Sequence, residues 1–181
     1  MGINKGYLTA KTDKASDEVY TPEYAVKPIL KYIDRDNKPF YTIWCPFDKE
    51  DSNFVKLIRE NGHKVICTHI DEGKNFFYYE PEEYYDYIIS NPPFSIKDDI
   101  IKRLYELNKP YAMLMPLNVL QGQKRFKYLK DTEALIFDKR INYLKEIKGK
   151  KEIQKGVSFA SIYLCRNFLP KDLIFEELQI T

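Results

Sequence analysis

The spacing of apolar residues changes repeatedly along the chain, which predicts strands separated by helices. Apolar side chains recur every three or four positions in segments 22–33, 51–62 and 97–108, the pattern of amphipathic helices. Short apolar runs rich in aromatic and β-branched residues predict strands. These runs are FYTIWCPF (40–47), HKVICTHI (63–70), NFFYY (75–79), YDYIIS (85–90), PYAMLMPL (110–117), EALIFD (133–138) and VSFASIYLC (157–165). Such alternation favours a mostly parallel central sheet with helices on both faces.

Residues that typically start or end helices predict the boundaries of these elements. Thr21 followed by Pro22 predicts the start of the first helix, with Thr21 as its N-cap, and Gly62 predicts the end of the second. A further short helix is expected over residues 122–131. The lysine-rich segment 144–156 reads as a loop. No linker composition interrupts the sequence, so we expect one domain over residues 1–181 with an N-terminal arm at 1–20 and no separate target-recognition domain.

Composition excludes several classes of protein. The 181 residues include 44% hydrophobic ones and carry a net charge of +2, which argues against a disordered chain and against a strongly basic coat protein. No apolar stretch is long enough to cross a bilayer, and we expect a cytoplasmic protein without membrane partners. Cys45, Cys67 and Cys165 are far apart, so neither a disulfide framework nor a metal site is expected. We interpret them as core thiols.

Polar and aromatic residues follow the ends of four successive predicted strands. In parallel sheets, ligands bind beyond the carboxyl ends of the strands. The residues expected there are Pro46 to Asp48, then Asp71, then Asn75 and Phe76, and finally Asn91 to Phe94. The sequence therefore predicts one crevice that contains all four groups.

The fourth of these groups, Asn91-Pro92-Pro93-Phe94, ends its strand abruptly. Two consecutive prolines supply no backbone donor and hold Asn91 in an extended conformation, while the carbonyl groups stay free to accept hydrogen bonds. The tetrapeptide is consistent with a simple strand-terminating turn. It is also consistent with a rigid pair of acceptors.

The segment SNPPF (90–94) resembles the catalytic motif of S-adenosylmethionine-dependent amino-methyltransferases, in particular the adenine-specific DNA methyltransferases. Further segments in the same order strengthen the resemblance, which spans residues 20–169 and extends to small phage-encoded adenine methyltransferases. These segments are YTPEYAVKPIL (20–30), WCPFD (44–48), the run from HIDEG to the NPPF motif (69–94) and VSFASIYLC (157–165). The resemblance implies a Rossmann-like class I methyltransferase fold with a late antiparallel hairpin strand.

The resemblance also implies a chemical role for the motif. In this family the side-chain oxygen of the Asn and the carbonyl of the following Pro accept the two hydrogens of an adenine amino group, which here are Asn91 and Pro92. Pro93 stiffens these acceptors, and Phe94 stacks on a base turned out of its helix. Phe159, in the last predicted strand, would cover the other face of that base, although the same pattern fits a core residue.

The implied cofactor is S-adenosylmethionine, and here the sequence departs from its relatives. The first motif of the family carries an acidic residue and a glycine-containing loop, whereas CPFDKEDSNF (45–54) has Cys45 in the acidic place and no glycine. Asp48 either replaces that carboxylate or caps the helix near Ser52. The remaining expected contacts are Thr21, Pro46, Asp71, Asn75 and Phe76.

Clusters of basic residues are the expected contacts to nucleic acid phosphates. They are Lys5, Lys11 and Lys14 in the arm, Lys124 with Arg125, and Lys148, Lys150 and Lys151. DNA is the favoured substrate over RNA. Two alternatives stay open: the same chemistry on RNA or on a protein glutamine, and a binding or regulatory protein that has lost cofactor affinity with its glycine loop.

Overall fold

A computed structural model describes residues 19–33, 38–147, 150–153 and 159–180. Within these residues three α-helices and ten strands are present. The helices are α1 (Glu23–Leu30), α2 (Asn53–Glu60) and α3 (Lys97–Leu107). The strands are β1 (Val19–Tyr20), β2 (Thr42–Cys45), β3 (Lys64–Cys67), β4 (Tyr87–Ser90), β5 (Tyr111–Pro116), β6 (Glu133–Phe137), β7 (Leu144–Ile147), β8 (Lys150–Ile153), β9 (Ser161–Arg166) and β10 (Leu173–Glu176).

Seven strands form the central sheet in the order β10-β6-β9-β5-β4-β2-β3. The neighbours β2 and β3, β2 and β4, β4 and β5, and β6 and β10 run parallel. Strand β9 runs antiparallel to both of its neighbours, β5 and β6. The prediction of a mostly parallel sheet with a late antiparallel strand is therefore confirmed.

Helices cover both faces of the sheet. Successive side chains of each central strand point to opposite faces, so each strand contributes to two core clusters. Ile43 and Cys45 of β2 lie in a core cluster with residues of α1 and α2. Trp44, between them in sequence, lies in the cluster that contains the buried residues of α3. The continuous apolar runs of β2, β4 and β5 follow from this burial on two faces. Within the described residues, none of the helices has the length and apolarity needed to cross a membrane.

The third predicted strand, NFFYY, is a turn instead. The Asn75 side-chain oxygen accepts a hydrogen bond from the Phe77 amide at 3.0 Å, and its carbonyl accepts from the amides of Tyr78 and Tyr79. Asn side chains that bond their own backbone in this way compete with strand formation. The aromatic residues of the segment suggest a strand, but only Phe76 among them is buried.

The segment expected to be a loop, 144–156, contains a hairpin. Strands β7 and β8 pair antiparallel, and β1 pairs with β7 to complete a second, three-stranded sheet. Strand β1 leads directly into Thr21 and α1. The helix takes Pro22 as its N-cap residue rather than Thr21, and Thr21 is used elsewhere, as described below. Strand β10, which was not predicted at all, adds to the far edge of the central sheet.

The expected helix over 122–131 is a turn at residues 123–125 followed by a single 3-10 turn, Phe126–Tyr128. Arg125 organises this region from inside. Its buried guanidinium donates to the carbonyls of Val119 and Asn118, at 2.7 Å each, and to the Gln121 carbonyl, and it pairs with Asp98 in the first turn of α3. The predicted phosphate contact of Arg125 is therefore corrected: its donors are already used within the protein.

Replacing Arg125 with Ala should lower the free energy of unfolding by about 2–4 kcal/mol, because three backbone carbonyls lose their donor and Asp98 loses the partner with which it pairs. Urea unfolding monitored by circular dichroism measures this change. The exposed neighbour provides the control, since Lys124→Ala should change stability by less than about 0.5 kcal/mol. Equal and small effects of the two substitutions would contradict the structural role of Arg125.

Candidate functional site

A cleft opens at the carboxyl ends of β2 and β4, between these strand ends, α2 and the hairpin sheet. Its empty space, including the part open to solvent, is about 590 Å³. The lining residues come from five separate segments of the chain: Tyr20, Thr21, Phe47, Asp48, Lys49, Asp51, Ser52, Asn53, Phe54, His69, Asn91 and Lys151. The crevice predicted at the strand ends is thus present, although its lining differs in part from the prediction.

Asp48 is buried in the cleft and accepts hydrogen bonds from two hydroxyl groups. Ser52, the N-cap of α2, donates to Asp48 Oδ1 at 2.6 Å, and Ser90, the last residue of β4, donates to Oδ2. The Phe47 amide in turn donates to Ser90 Oγ at 3.2 Å. Asp48 therefore ties the end of β4 to the start of α2. It supports the cap of the helix through Ser52 instead of capping the helix itself.

Burial raises the pKa of the Asp48 carboxyl from 3.8 to about 6, because the charged form loses its hydration. The hydrogen bonds from Ser52 and Ser90 lower that pKa and offset part of the rise. The carboxyl group consequently titrates close to neutral pH at the centre of the site.

Asn91 is held by one end of its amide group. The side-chain nitrogen donates to Thr21 Oγ1 at 3.1 Å, which fixes the orientation of the amide plane. The side-chain oxygen is buried and has no hydrogen-bond donor among the described residues. A buried acceptor without a partner costs free energy, so this atom is a feature that needs a function.

Thr21 connects Asn91 to the hairpin sheet and to α2. Its carbonyl accepts a hydrogen bond from Asn53 Nδ2 at 2.8 Å, in the first turn of α2. The preceding residue, Tyr20, pairs with β7, and its ring lies 4.0 Å from Lys151 Nζ. Lys151 also forms an ion pair with Asp51 at 3.0 Å across the mouth of the cleft. Lys151, predicted to contact phosphates, is therefore a cleft residue.

Phe94 and Phe159 are brought together as predicted, but in direct contact. Their ring centroids are 5.3 Å apart with planes at 86°, and Tyr143 packs against both rings. A base sandwich needs parallel rings about 7 Å apart, twice a stacking distance of roughly 3.5 Å. The sandwich stays a prediction, and it requires one ring to turn away from the other.

Four predicted cofactor contacts do not line the cleft. Pro46 is buried in the turn after β2, and Phe76 is buried in the core, with ring centroids 4.9 Å from Phe47 and 5.5 Å from Trp44. Asn75 uses its side-chain oxygen in the turn described above. Asp71 is exposed and pairs with Lys49 at 2.9 Å. Phe76 therefore has no free face for an adenine ring, which corrects that part of the prediction.

Sequence reasoning missed several residues that shape the cleft. Ser52 and Ser90 orient Asp48, whereas Phe47, half-buried in the cleft wall, lies within the predicted range 46–48. Ser90 had a detectable signal, because it directly precedes Asn91 at a predicted strand end. Asp51 had none: its role depends on pairing with Lys151, which lies 100 positions later in the chain.

Of the remaining predicted phosphate contacts, two lie within the described residues and four lie outside them. Lys124 is exposed near the end of β5, and Lys150 belongs to β8. Lys5, Lys11, Lys14 and Lys148 lie outside the described residues.

Comparison with known proteins identifies the fold. No protein-family model and no curated protein matches the sequence. Among solved structures, a candidate class I S-adenosylmethionine-dependent methyltransferase from Listeria monocytogenes aligns over 96% of this chain and 69% of its own, with a TM-score of 0.51 and 12% identity. The chain has the class I methyltransferase fold.

Two other structures align less closely. A precorrin-6y C5,15-methyltransferase from Geobacter metallireducens aligns over 83% of this chain and 93% of its own, with a TM-score of 0.44 and 12% identity. The 23S rRNA methyltransferase ErmE aligns over 78% of this chain and 68% of its own, with a TM-score of 0.39 and 13% identity. Scores this low add nothing to the assignment, which rests on the first match and on the sheet topology.

Asp48→Asn should change how stability depends on pH. The folded pKa of about 6 lies above the ordinary value of 3.8, so the folded state binds this proton more tightly. The contribution of Asp48 to stability is therefore greatest below pH 4 and is lost as the pH rises through 6. Because Asn does not titrate, the wild type should lose on the order of 2–3 kcal/mol relative to the variant between pH 4 and pH 7.

Urea unfolding of both proteins at a series of pH values measures this difference. Asp51→Asn, which removes an exposed carboxylate of the same cleft, is the matched control. Parallel stability profiles of the wild type and Asp48→Asn would show that Asp48 keeps an ordinary pKa.

Proposed function

We propose that this chain is an S-adenosylmethionine-dependent methyltransferase that methylates the exocyclic amine of adenine in DNA. The observation that carries the proposal is the Asn91 amide, whose nitrogen is fixed by Thr21 and whose buried oxygen has no donor among the described residues. An acceptor prepared in this way fits a substrate that brings an N–H group. The methyltransferase fold and the NPPF motif supply the rest of the argument.

The chemistry explains why two acceptors are needed. The lone pair of an adenine amino group is delocalised into the ring, so the group is a poor nucleophile. Hydrogen bonds from its two N–H groups to Asn91 Oδ1 and to the Pro92 carbonyl polarise it and direct its lone pair. Pro92 and Pro93 have fixed φ angles, and Thr21 holds the Asn91 amide, so these acceptors need little reorganisation. No strong base is required before transfer.

The cleft is suited to the amino-acid end of the cofactor, which supplies an activated methyl group on a sulfonium. Its mouth carries the Lys151 ammonium and the Asp51 carboxylate, 3.0 Å apart. One group can receive the cofactor carboxylate and the other its ammonium, if the ion pair between them opens. Asn91 lines the same cleft, and we propose that the substrate amine meets the methyl group beside its side-chain oxygen. Asp71 and Asn75 stay proposed contacts for the ribose and adenine, on the resemblance alone.

One observation favours a second candidate, a methyltransferase-like binding protein with poor cofactor affinity. The loop after β2 has no glycine, and three of its amides are already used. Phe47 donates to Ser90 Oγ, Asp48 to the Cys45 carbonyl and Ser52 to the Lys49 carbonyl. A glycine-rich loop would offer such amides to the ligand. Titration with S-adenosylhomocysteine separates the two candidates, because the second predicts no measurable binding. RNA or a protein glutamine as acceptor would be separated from DNA by transfer assays on each.

Asn91→Ala should reduce methyl transfer on the order of 100-fold or more, the cost of one preorganised polar group. Folding and binding of S-adenosylhomocysteine should change little. Transfer of labelled methyl groups to adenine-containing oligonucleotides measures the rate, and calorimetry measures the binding. Asn91→Asp keeps an acceptor oxygen and should retain partial activity.

The exposed residue Asn142, outside the cleft, provides the matched control. Asn142→Ala should leave transfer unchanged. Full turnover by Asn91→Ala on every substrate that the wild type methylates would remove Asn91 as the amino-group acceptor.

Lys151→Ala should weaken binding of S-adenosylhomocysteine roughly tenfold or more, because a charge-assisted hydrogen bond to its carboxylate is lost. Binding of 5′-methylthioadenosine, which lacks the amino-acid group, should not change. Calorimetry with both ligands measures this contrast, with Lys124→Ala as the control for loss of one positive charge. An equal loss of both ligands would instead indicate a general disturbance of the hairpin.

A further inference from the structure

Residues 117–130, which follow β5, have an unusual composition for a surface segment. They contain Lys124, Arg125, Lys127 and Lys130 but no Asp or Glu. With the Arg125 guanidinium buried, the three lysines remain as exposed cations. The segment therefore presents positive charge without an acidic residue of its own to balance it.

Large apolar side chains are exposed on the same segment. Phe126 is 64% exposed, and Leu117 and Leu120 are each 41% exposed. Phe126 stands between Lys124 and Lys127 in sequence, so an aromatic ring and ammonium groups are interleaved. Aromatic rings that stack on bases, set among cations that contact phosphates, are the usual means of binding a single strand.

The segment is also held firmly. The Arg125 hydrogen bonds to three carbonyls of residues 118–121 fix the backbone on both sides of Gly122. A Cβ at Gly122 would lie 2.5 Å from the Arg125 side chain, so a larger residue there would displace the guanidinium from its hydrogen bonds. Phe126 is thus presented from a prepared backbone, which lowers the entropic cost of using its ring for binding.

Its position connects it to the proposed catalytic motif. Arg125 pairs with Asp98 in the first turn of α3, and α3 begins directly after Phe94–Ile96. On the other side, the Leu117 amide donates to the Ala160 carbonyl at 2.8 Å, next to Phe159. The segment therefore adjoins both aromatic residues predicted to hold the substrate base.

We infer that residues 117–130 form a binding surface for a single strand of nucleic acid, with Phe126 stacking on an unpaired base and Lys124, Lys127 and Lys130 contacting phosphates. A paired duplex presents its phosphates but hides the base faces, so it would leave Phe126 and the two leucines without a use. A protein partner would fit the apolar residues but would require its own acidic groups for the lysines. As a statement about the substrate, this inference rests on the proposed function.

The test measures fluorescence anisotropy of a labelled single strand of about 15 nucleotides, which is long enough for one such site, and of the matching duplex. The wild type should bind the single strand more tightly. Phe126→Ala should weaken single-strand binding roughly 5- to 100-fold, the range for loss of one base stack. Phe175→Ala is the matched control, because that ring is 70% exposed on β10 at the far edge of the central sheet. It should have no effect.

Salt dependence tests the lysines separately. Replacing Lys124, Lys127 and Lys130 together with Ala should flatten the slope of log affinity against log salt by about 2 units, at roughly 0.7 per phosphate contact on a single strand. A control variant with Lys56, Lys102 and Lys139 replaced removes the same charge from other exposed positions. Equal slopes of the two triple variants would overturn the assignment of the phosphate contacts.

Three results would overturn the inference: no single-strand binding by the wild type, equal affinity of Phe126→Ala and Phe175→Ala, or a wild-type dimer that Phe126→Asp converts to a monomer. The last would identify the surface as a contact between copies of the chain. Methyl transfer to the same oligonucleotides is measured in parallel. Methyl transfer that depends on Asn91 but not on Phe126 would contradict the proposed binding surface and leave the proposed function standing. Phe126-dependent binding without cofactor binding or transfer would remove only the proposed function.

Discussion

The candidate site depends on one buried carboxylate that accepts hydrogen bonds from two hydroxyl groups. Asp48 accepts from Ser90 at the end of β4 and from Ser52 at the start of α2, and Ser90 also accepts from the Phe47 amide. Each donor polarises the next along this chain of hydrogen bonds, which strengthens the whole in a buried setting. Because Asn91 directly follows Ser90, the position of the amide that we assign to the substrate is set by this network. This network also uses the Phe47 amide, a kind of loop donor that a glycine-rich loop would leave for the cofactor.

The polar groups of the cleft are oriented from several directions at once. The Thr21 hydroxyl accepts a hydrogen bond from Asn91 Nδ2, and the Thr21 carbonyl accepts one from Asn53 Nδ2. The segment after β1, the start of α2 and the NPPF segment therefore meet at one residue. The orientation of the Asn91 amide is consequently determined by the protein before any ligand binds. Its oxygen is buried without a hydrogen-bond donor among the residues that the structure describes, as expected where stability is exchanged for a prepared binding geometry.

The sequence was sufficient to predict elements that are decided by hydrophobic burial alone. It was insufficient where particular side-chain hydrogen bonds or pairing with a distant segment decides the structure. The runs of β2, β4 and β5 are apolar throughout because both faces of the sheet are covered, and their prediction is confirmed. The aromatic run at 75–79 is equally apolar, but the Asn75 side chain bonds its own backbone and closes a turn. The pair of β7 and β8 adjoins β1, more than 120 positions earlier in the chain, and the high lysine content of these strands conceals their alternation. Arg125 looked like a surface cation because nothing local shows that three carbonyls and Asp98 surround it.

The burial of Arg125 has a consequence for recognition. Arginine is the side chain best suited to paired hydrogen bonds with a guanine edge or a phosphate, and here its planar group is used to shape the segment that presents Phe126. The charges left on the outer surface are lysines, which attract phosphates as point charges and do not read base identity. Stacking on Phe126 is similarly tolerant, since every base has a flat face. A surface built in this way would hold a strand near Asn91 without selecting its sequence, so in our proposal any base selection depends on the acceptors at Asn91 and Pro92.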